Sequence, residues 1–238
     1  KEILKKFLKS GVVIKGKLYP NEKGTPQGGV ISPILANMTL DGLQRKLKEK
    51  YWRYNQKGEY CENRKPDYRQ NIKKVNFIRY ADDFVVTGDS EQTCLEVRNV
   101  VEWFLIERGV ELSEDKTRIV HIDEGFDFLG WNFRKYNGKL LVKPSKKAIQ
   151  KFLDEIRETI KANPSIRQSD LIIQLNRKIR GWRNYHKHVI ARDVFEYCDN
   201  EIFQALWSWA LRRHKNKGKV WVKERYWHSI KNDNWVFF

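Results

Sequence analysis

The sequence has little cysteine and proline, a single methionine and no long apolar run. Its three cysteines, Cys61, Cys94 and Cys198, are odd in number and widely spaced, which excludes a disulfide framework and a zinc-ligand pattern and fits a reducing compartment. No apolar stretch approaches the roughly 20 residues that cross a bilayer, so we expect no membrane partner. The only methionine is Met38 and the first residue is Lys1. We therefore expect the chain to be part of a longer protein.

Acidic residues are scarce relative to basic ones. The chain of 238 residues has 47 Lys and Arg against 30 Asp and Glu, a formal net charge of +17. Such an excess indicates a polyanionic partner. The hydrophobic fraction of 40% excludes a wholly disordered chain. The charge is concentrated in residues 145–238, which contain 20 Lys and Arg, 10 Asp and Glu, and six of the nine Trp.

Hydrophobic spacing and turn residues predict a mixed α+β chain that changes character near Pro144. The predicted strands are 11–19 (as a strand or hairpin), 75–80, 84–88, 117–122, 126–133 and 139–143, with a turn at Asn137-Gly138. The predicted helices are 30–51, with Ser32 as N-cap, and 90–108, with Gly109 as C-cap. Residues 52–74 are expected to be a loop or insertion. Residues 145–238 have a helical pattern, with caps at Ser145 and Ser169. Two domains follow, 1–144 and 145–238.

Paired carboxylates lie at the tip of the hairpin predicted around Tyr80-Ala81-Asp82-Asp83. Neighbouring carboxylates repel, so placing both on a tight turn is costly unless a cation binds there. Mg²⁺ uses one or two protein carboxylates and leaves positions for water and phosphate oxygens. Two such ions can hold the attacking and leaving oxygens of a phosphoryl transfer. A solvated pair of aspartates in an ordinary β-turn is the alternative interpretation.

A second candidate is the turn Gly24–Gly29, which precedes the helix at 30–51. Gly28 and Gly29 let a ligand approach the backbone closely, and the following helix N-terminus suits an anion. The Gln27 amide can hydrogen-bond a base or a sugar. An ordinary glycine-rich turn before a capped helix explains the same residues.

The order of the motifs resembles the second half of a reverse transcriptase palm. The motifs are Pro-Gln-Gly-Gly (26–29), Ser-Pro-Ile-Leu-Ala-Asn (32–37), Tyr-Ala-Asp-Asp (80–83), Leu-Ser-Glu-Asp-Lys-Thr (112–117) and Phe-Leu-Gly-Trp (128–131). Further on, Ile-Arg-Gly-Trp-Arg-Asn-Tyr-His (179–186) is similar to the thumb or maturase domain of group II intron-encoded proteins. The resemblance implies a partial right-hand palm, an antiparallel sheet with helices, over 1–144. It implies an all-α, basic thumb/maturase domain over 145–238.

This resemblance implies roles for individual residues. The metal-binding carboxylates would be Asp82, the principal ligand, and Asp83. The residues near the incoming nucleotide, template and primer end would be Gln27, Gly28, Gly29 and Tyr80. Lys116 matches a lysine proposed to approach the triphosphate, with an ordinary surface lysine as the alternative. The primer grip, a hairpin that steadies the primer strand, would be Phe128, Leu129 and Gly130.

The resemblance also implies a cofactor and partners. The cofactor is Mg²⁺, in a two-metal site completed by an Asp upstream of Lys1. The partners are group II intron RNA, an RNA template with a DNA primer, a dNTP, and the N-terminal part of the protein or a complementing chain. Because the family's fingers lie upstream as well, we expect this chain alone to be inactive. We expect a bacterial cytoplasm as the setting, with an organelle as the alternative.

The basic region 145–238 predicts RNA binding, because Lys and Arg neutralise phosphates. The candidate residues are Arg177, Lys178, Arg180, Arg183, Arg212, Arg213 and Lys215. Trp182, Trp207 and Trp209 are expected in the helical core rather than as platforms for bases.

Three functions fit the sequence. The first is a reverse transcriptase that is also an RNA-binding maturase for group II intron splicing and mobility. The second is a splicing cofactor that only binds RNA. The third is a reverse transcriptase outside introns, of a retron or CRISPR-linked type.

Overall fold

A computed structural model describes residues 2, 6, 11–14, 16–19, 32–52, 71, 73–230 and 233–237. The chain divides into two compact units, Lys1–Ile119 and Val120–Phe238. The domain boundary predicted near Pro144 lies inside the second unit and stays a prediction. The candidate turn at Gln27, Gly28 and Gly29, and most of the predicted insertion at 52–74, lie outside the described residues.

The first unit combines short antiparallel hairpins with helices. Its described elements are β1 (Val12–Ile14), β2 (Lys17–Tyr19), α1 (Ser32–Leu40), α2 (Leu43–Tyr51), β3 (Asn76–Tyr80), β4 (Asp83–Thr87) and α3 (Glu91–Ile106). Strand β1 pairs with β2, and β3 with β4. The predicted hairpins at 11–19 and 75–88 are therefore confirmed.

The helix predicted over 30–51 is wrong as a single element. It is interrupted at Asp41-Gly42, where Gly42 takes a φ of +84° as the N-cap of α2. Helix α3 follows the prediction closely. The Ser90 hydroxyl accepts the N–H of Thr93 at 3.2 Å as an N-cap.

The core of the first unit lies between α2, α3 and the β3–β4 hairpin. Leu43 and Leu47 of α2 are fully buried with Val101 of α3. The start of β3 is fixed at Val75, whose carbonyl accepts hydrogen bonds from the Trp52 indole (2.6 Å) and the Asn71 amide (3.0 Å). These bonds hold the β3–β4 hairpin against the helices.

The second unit begins with a three-stranded sheet and continues as a helical region. Its described elements are β5 (Phe126–Phe128), β6 (Trp131–Tyr136), β7 (Lys139–Pro144), α4 (Lys146–Ala162), α5 (Gln168–His186), α6 (Arg192–Arg213), α7 (Lys219–Tyr226), β8 (Trp227–Ile230) and β9 (Asp233–Phe237). The sheet order is β5-β6-β7, all antiparallel. The Ser145 hydroxyl accepts the N–H of Ala148, so the predicted cap of α4 is confirmed.

Several local predictions in this unit are corrected. The stretch 126–133 contains a turn at Leu129-Gly130 and so forms parts of two strands. Residues 117–122 are not part of a described strand, although the Ile122 carbonyl accepts the N–H of Lys135 on β6 at 2.9 Å. Helix α5 begins at Gln168 after Arg167, so Ser169 lies inside its first turn and is not the cap. Residues 227–237 form a hairpin (β8–β9) rather than a helix.

The core of the second unit lies between α4, α5 and α6. Ile156 and Leu171 are completely buried there. The expectation that the tryptophans of these helices are core residues is confirmed. Trp209 is 3% exposed, and its indole N–H donates to the carbonyl of Asn163 at 2.9 Å. Trp182 and Trp207 pack against the same cluster.

Among the described helices, none is both long enough and apolar enough to cross a membrane.

Candidate functional site

The paired aspartates lie at the tip of the β3–β4 hairpin, as predicted. Tyr80 pairs with Asp83, which leaves Ala81 and Asp82 as a two-residue loop. Ala81 has a φ of +53°, a conformation that L-residues rarely adopt. Asp82 and Asp83 are exposed, and the Tyr80 side chain is 65% exposed. The loop therefore presents two carboxylates and an aromatic ring to solvent.

Behind this tip, the hairpin packs on the core of the first unit. Phe77 and Phe84 lie on one face with ring centroids 5.5 Å apart and pack on the core of the unit. Because side chains alternate along a strand, Asp83 points away from the face that carries Phe84. Arg79, opposite Phe84, has a buried Nη1 with no hydrogen-bond partner among the described residues. The sequence did not indicate this cation, because nothing in the local pattern shows that one nitrogen of its guanidinium is buried.

The two carboxylates fit a divalent cation such as Mg²⁺ as part of a ligand set. They supply only oxygen donors, in the number that Mg²⁺ takes from a protein when phosphates and waters complete its coordination. Within the described part of the chain, no group of three or more His, Cys, Asp or Glu is close enough to hold a metal. Any further protein ligand would have to come from elsewhere.

Lys116 lies in the same unit, in a turn that follows Leu112. The turn is held by the N–H groups of Lys116 and Thr117, which donate to the carbonyl of Ser113 at 3.2 and 2.9 Å. Leu112 packs against the core of the first unit, and the Lys116 side chain is exposed. The position is thus anchored while the ammonium group stays in solvent.

The candidate primer-grip residues form the β5–β6 turn of the second unit. Phe128 pairs with Trp131, so Leu129 and Gly130 are the two loop residues. Their φ angles of +50° and +79° are those of a type I′ turn. The turn is closed from behind by the N–H of Ser145, which donates to the carbonyl of Gly130 at 2.9 Å.

The end of helix α5 packs against this turn. The Tyr185 hydroxyl donates to the carbonyl of Leu129 at 2.7 Å. The indole N–H of Trp131 donates to Nδ1 of His186 at 3.0 Å. Burial lowers the pKa of His186, and a neutral ring with its proton on Nε2 is the form that can accept this bond at Nδ1.

The basic residues of α5 are exposed. Arg177, Arg180 and Arg183 make no ion pair within 4.0 Å among the described residues, whereas Lys178 lies 3.9 Å from Glu155. Burial raises the pKa of Asp199, and the positive charge of Arg183 opposes that rise. Arg177 and Arg180 are therefore the members of this group most available to an external anion.

The basic residues near the end of α6 differ in their contacts. The Arg213 guanidinium donates to the carbonyl of Ile166 at 2.5 Å and lies over the Trp209 ring, so it ties α6 to the α4–α5 connection. Arg212 donates to the carbonyl of Ser208 within its own helix. Lys215 is exposed.

His214 lies in a positively charged part of the chain. Its pKa is lowered by burial first and then by the positive charges of Arg213, Arg225 and Lys217. Three cations that act on one imidazole indicate a locally positive potential, which favours a polyanion.

Comparison with known proteins agrees with these features. Residues 1–133 match the family described as reverse transcriptase (RNA-dependent DNA polymerase). Residues 149–227 match the maturase-specific domain of group II introns. The chain belongs to the group II intron reverse transcriptase/maturase family. Its mixed α+β fold, with small antiparallel sheets followed by a helical region, confirms the predicted fold class.

Proteins similar to this chain include bacterial and yeast examples. The group II intron-encoded protein LtrA of Lactococcus lactis subsp. cremoris is 26% identical over 81% of this chain and 40% of its own length. Protein YkfC of Escherichia coli (strain K12) is 37% identical over 54% of this chain and 37% of its length. The putative COX1/OXI3 intron 2 protein of Saccharomyces cerevisiae is 30% identical over 56% of this chain and 20% of its length. The chain thus spans 40% or less of these relatives.

Proposed function

We propose that the full-length protein containing this chain is an RNA-dependent DNA polymerase that also binds group II intron RNA as a maturase. The observation that carries the proposal is the two-residue hairpin loop at Tyr80-Ala81-Asp82-Asp83, which exposes two adjacent carboxylates on a supported strand pair. The family match to reverse transcriptases over residues 1–133 supports the reaction class. The maturase-domain match over 149–227 supports the RNA partner.

Asp82 and Asp83 are the residues that would hold Mg²⁺. When bound, Mg²⁺ ions stabilise the charge on the attacking and leaving oxygens of a phosphoryl transfer. The family pattern supplies one more aspartate, upstream of Lys1, and the fingers also lie there in this proposal. The N-terminal part of the protein, or a complementing chain, would then be required for activity.

The other candidate residues would bind the substrates. Lys116 would approach the triphosphate, where a cation offsets the charge that develops on the departing pyrophosphate. Gln27, Gly28 and Gly29 would contact the dNTP and the template. Tyr80 would lie at the primer end, and the turn at Phe128-Leu129-Gly130 would steady the primer strand.

The exposed cations of α5 and of the α6–α7 region would bind intron RNA. Affinity would come from phosphate neutralisation by the candidates that keep their charged groups free, chiefly Arg177, Arg180 and Lys215. Arg213 and Lys178 would contribute less, because their head groups already bond the protein. The two bacterial relatives support a bacterial cytoplasm as the setting.

The polymerase proposal is tested by Asp82→Ala in the full-length protein. We expect DNA primer extension on an RNA template to be lost, while the affinity for RNA stays within a few-fold of the unmodified protein. Glu111→Ala is the matched control, because it removes an exposed carboxylate of the same unit outside the hairpin. Normal extension by Asp82→Ala would overturn the assignment.

A splicing cofactor that only binds RNA is the second candidate. It is favoured by the charge distribution, since residues 145–238 carry 20 Lys and Arg against 10 Asp and Glu. The two functions separate in one comparison. Splicing assistance that persists in Asp82→Ala, together with no primer extension by the unmodified protein, would favour the cofactor alone.

A further inference from the structure

The last turn of α5 contacts the β5–β6 turn through two hydrogen bonds and one aromatic stack. The Tyr185 hydroxyl donates to the carbonyl of Leu129 at 2.7 Å. The Tyr185 ring stacks on Trp131, with centroids 4.8 Å apart and planes 11° from parallel. The Trp131 indole N–H donates to Nδ1 of His186 at 3.0 Å. One residue pair on the helix therefore bonds both the loop and the strand that leaves it.

The turn held in this way has an unfavourable backbone. Leu129 takes a φ of +50°, although a type I′ turn prefers Asn, Asp or Gly at that position. A side chain at such a φ persists when the surrounding structure fixes it. The Tyr185 hydroxyl donates a hydrogen bond from the helical region to the Leu129 carbonyl. The N–H of Ser145 donates to the carbonyl of Gly130.

Gly130 faces the end of α5 across a space that an alanine methyl group would fill. A Cβ built on Gly130 would lie 3.7 Å from Ala148, 3.8 Å from the Tyr185 ring and 4.0 Å from the His186 ring. The space beside Gly130 is thus bounded by the same two helix residues that hydrogen-bond around the turn. A shift of the helix end would shift the turn with it.

We propose that Tyr185 and His186 are positioning residues that hold the Leu129–Gly130 turn in the conformation that contacts the primer strand. The inference rests on the proposed function of that turn as the primer grip. It gives the end of α5, in the maturase part of the chain, a role in DNA synthesis as well as in RNA binding.

Exposure separates this role from ordinary core packing. His186 is 2% exposed, but Tyr185 is 47% exposed, so its ring adds little to the core. Its main polar contact is the backbone of the turn. Removing the hydroxyl alone therefore tests the turn while it leaves the ring stack on Trp131 in place.

The test measures binding of an RNA template annealed to a DNA primer, without nucleotides, by fluorescence anisotropy of the full-length protein. We expect Tyr185→Phe to raise the Kd for this duplex by about threefold to tenfold, the effect of one lost hydrogen bond. Its Kd for single-stranded RNA stays within about twofold, and its processivity in primer extension falls. Tyr197→Phe is the control, because it removes only the hydroxyl of an exposed tyrosine on α6.

Two His186 variants test the second residue. His186→Asn keeps an acceptor near the place of Nδ1, whereas His186→Leu removes it. We expect the Kd for the primer duplex to be closer to that of the unmodified protein in the Asn variant than in the Leu variant. Equal effects of the two variants would overturn the role of His186.

The results distinguish this inference from the proposed polymerase function. An unchanged Kd and processivity in Tyr185→Phe, or an equal loss of affinity for duplex and single-stranded RNA, would overturn the inference. If the unmodified full-length protein does not extend primers, the polymerase proposal fails, and the Kd comparison still decides whether Tyr185 positions the turn.

Discussion

Replacing Gly125 by alanine tests how the sheet behind the candidate primer grip is built. Gly125 precedes β5 and has a φ of +82°. A Cβ there would lie 2.8 Å from the Cβ of Arg134 and 2.9 Å from the carbonyl oxygen of Phe133, both on β6. Backbone cannot move aside without disturbing the β5–β6 pairing, so the clash adds to the cost of a left-handed conformation.

The magnitude follows from two separate contributions. An L-residue in the left-handed region costs about 1–2 kcal/mol. Overpacking against a fixed neighbour typically costs about 1–3 kcal/mol more. We therefore expect Gly125→Ala to lower the free energy of unfolding by about 2–5 kcal/mol, the sum of these ranges. Urea denaturation followed by tryptophan fluorescence measures this change.

Gly138→Ala is the matched control for this prediction. Gly138 lies in the β6–β7 turn of the same sheet with a φ of +80°, and a Cβ there meets nothing within 4 Å. Its expected loss is about 1–2 kcal/mol, from the backbone conformation alone. Equal losses for the two variants would refute the proposed contact between Gly125 and β6.

Two further predictions concern protonation and salt. Burial lowers the pKa of His186 in the folded state. Below the unfolded-state pKa of about 6.5, the unfolded chain therefore binds more protons than the folded chain. The free energy of unfolding then falls as pH decreases, by up to about 1.4 kcal/mol per pH unit. His186→Asn should make the free energy of unfolding, measured by urea denaturation, fall less between pH 7.5 and pH 5.5. The contribution of His214, whose pKa is also lowered, remains in this variant. The same fall in the variant and in the unmodified protein would count against a neutral, buried His186. Neutralising Arg177 and Arg180 with Gln should reduce the slope of log affinity for single-stranded RNA against log salt by about 1.4, at about 0.7 per phosphate contact. Arg192→Gln is the control and should leave the slope unchanged, because the Arg192 guanidinium is already ion-paired with the Glu196 carboxylate at 3.3 Å. An unaltered slope in the double variant would remove these two residues from the RNA-binding surface.

The sequence predicted the β3–β4 hairpin well because its signals are local. Two short apolar runs flank Ala81-Asp82-Asp83, and nothing else in that stretch competes with the turn. The break between α1 and α2 was missed because apolar residues continue at helical spacing from Met38 through Leu43. The φ of +84° at Gly42 overrides that pattern.

The hairpin at 227–237 was missed for a similar reason. Trp227 and Phe237 pair across β8 and β9 and both pack on the helical core, so apolar residues that were assigned to the helical pattern of 145–238 belong to two strands. Conversely, the strand predicted over 117–122 is absent from the described strands, and the hydrogen bond to β6 in this stretch, from the N–H of Lys135 to the Ile122 carbonyl, lies at its end.

The candidate site was predictable as motifs but not as an arrangement. The motif order identified Asp82, Asp83 and the Leu129–Gly130 turn as candidates. It did not show that Tyr185 bonds Leu129, because these residues are 56 positions apart and no local spacing connects them. Likewise, Arg213 counted as an RNA-binding candidate by charge, and only its bond to the Ile166 carbonyl shows that it also holds the fold together.

Whether the hairpin carboxylates hold Mg²⁺ for DNA synthesis is measured by the Mg²⁺ dependence of primer extension by Asp83→Asn in the full-length protein. Because this variant removes one anionic ligand and leaves Asp82, we expect residual extension that needs a higher Mg²⁺ concentration for half its maximum. Glu111→Ala should follow the unmodified protein. If Asp83→Asn extends primers with unchanged rate and unchanged Mg²⁺ dependence, these carboxylates do not hold the metal.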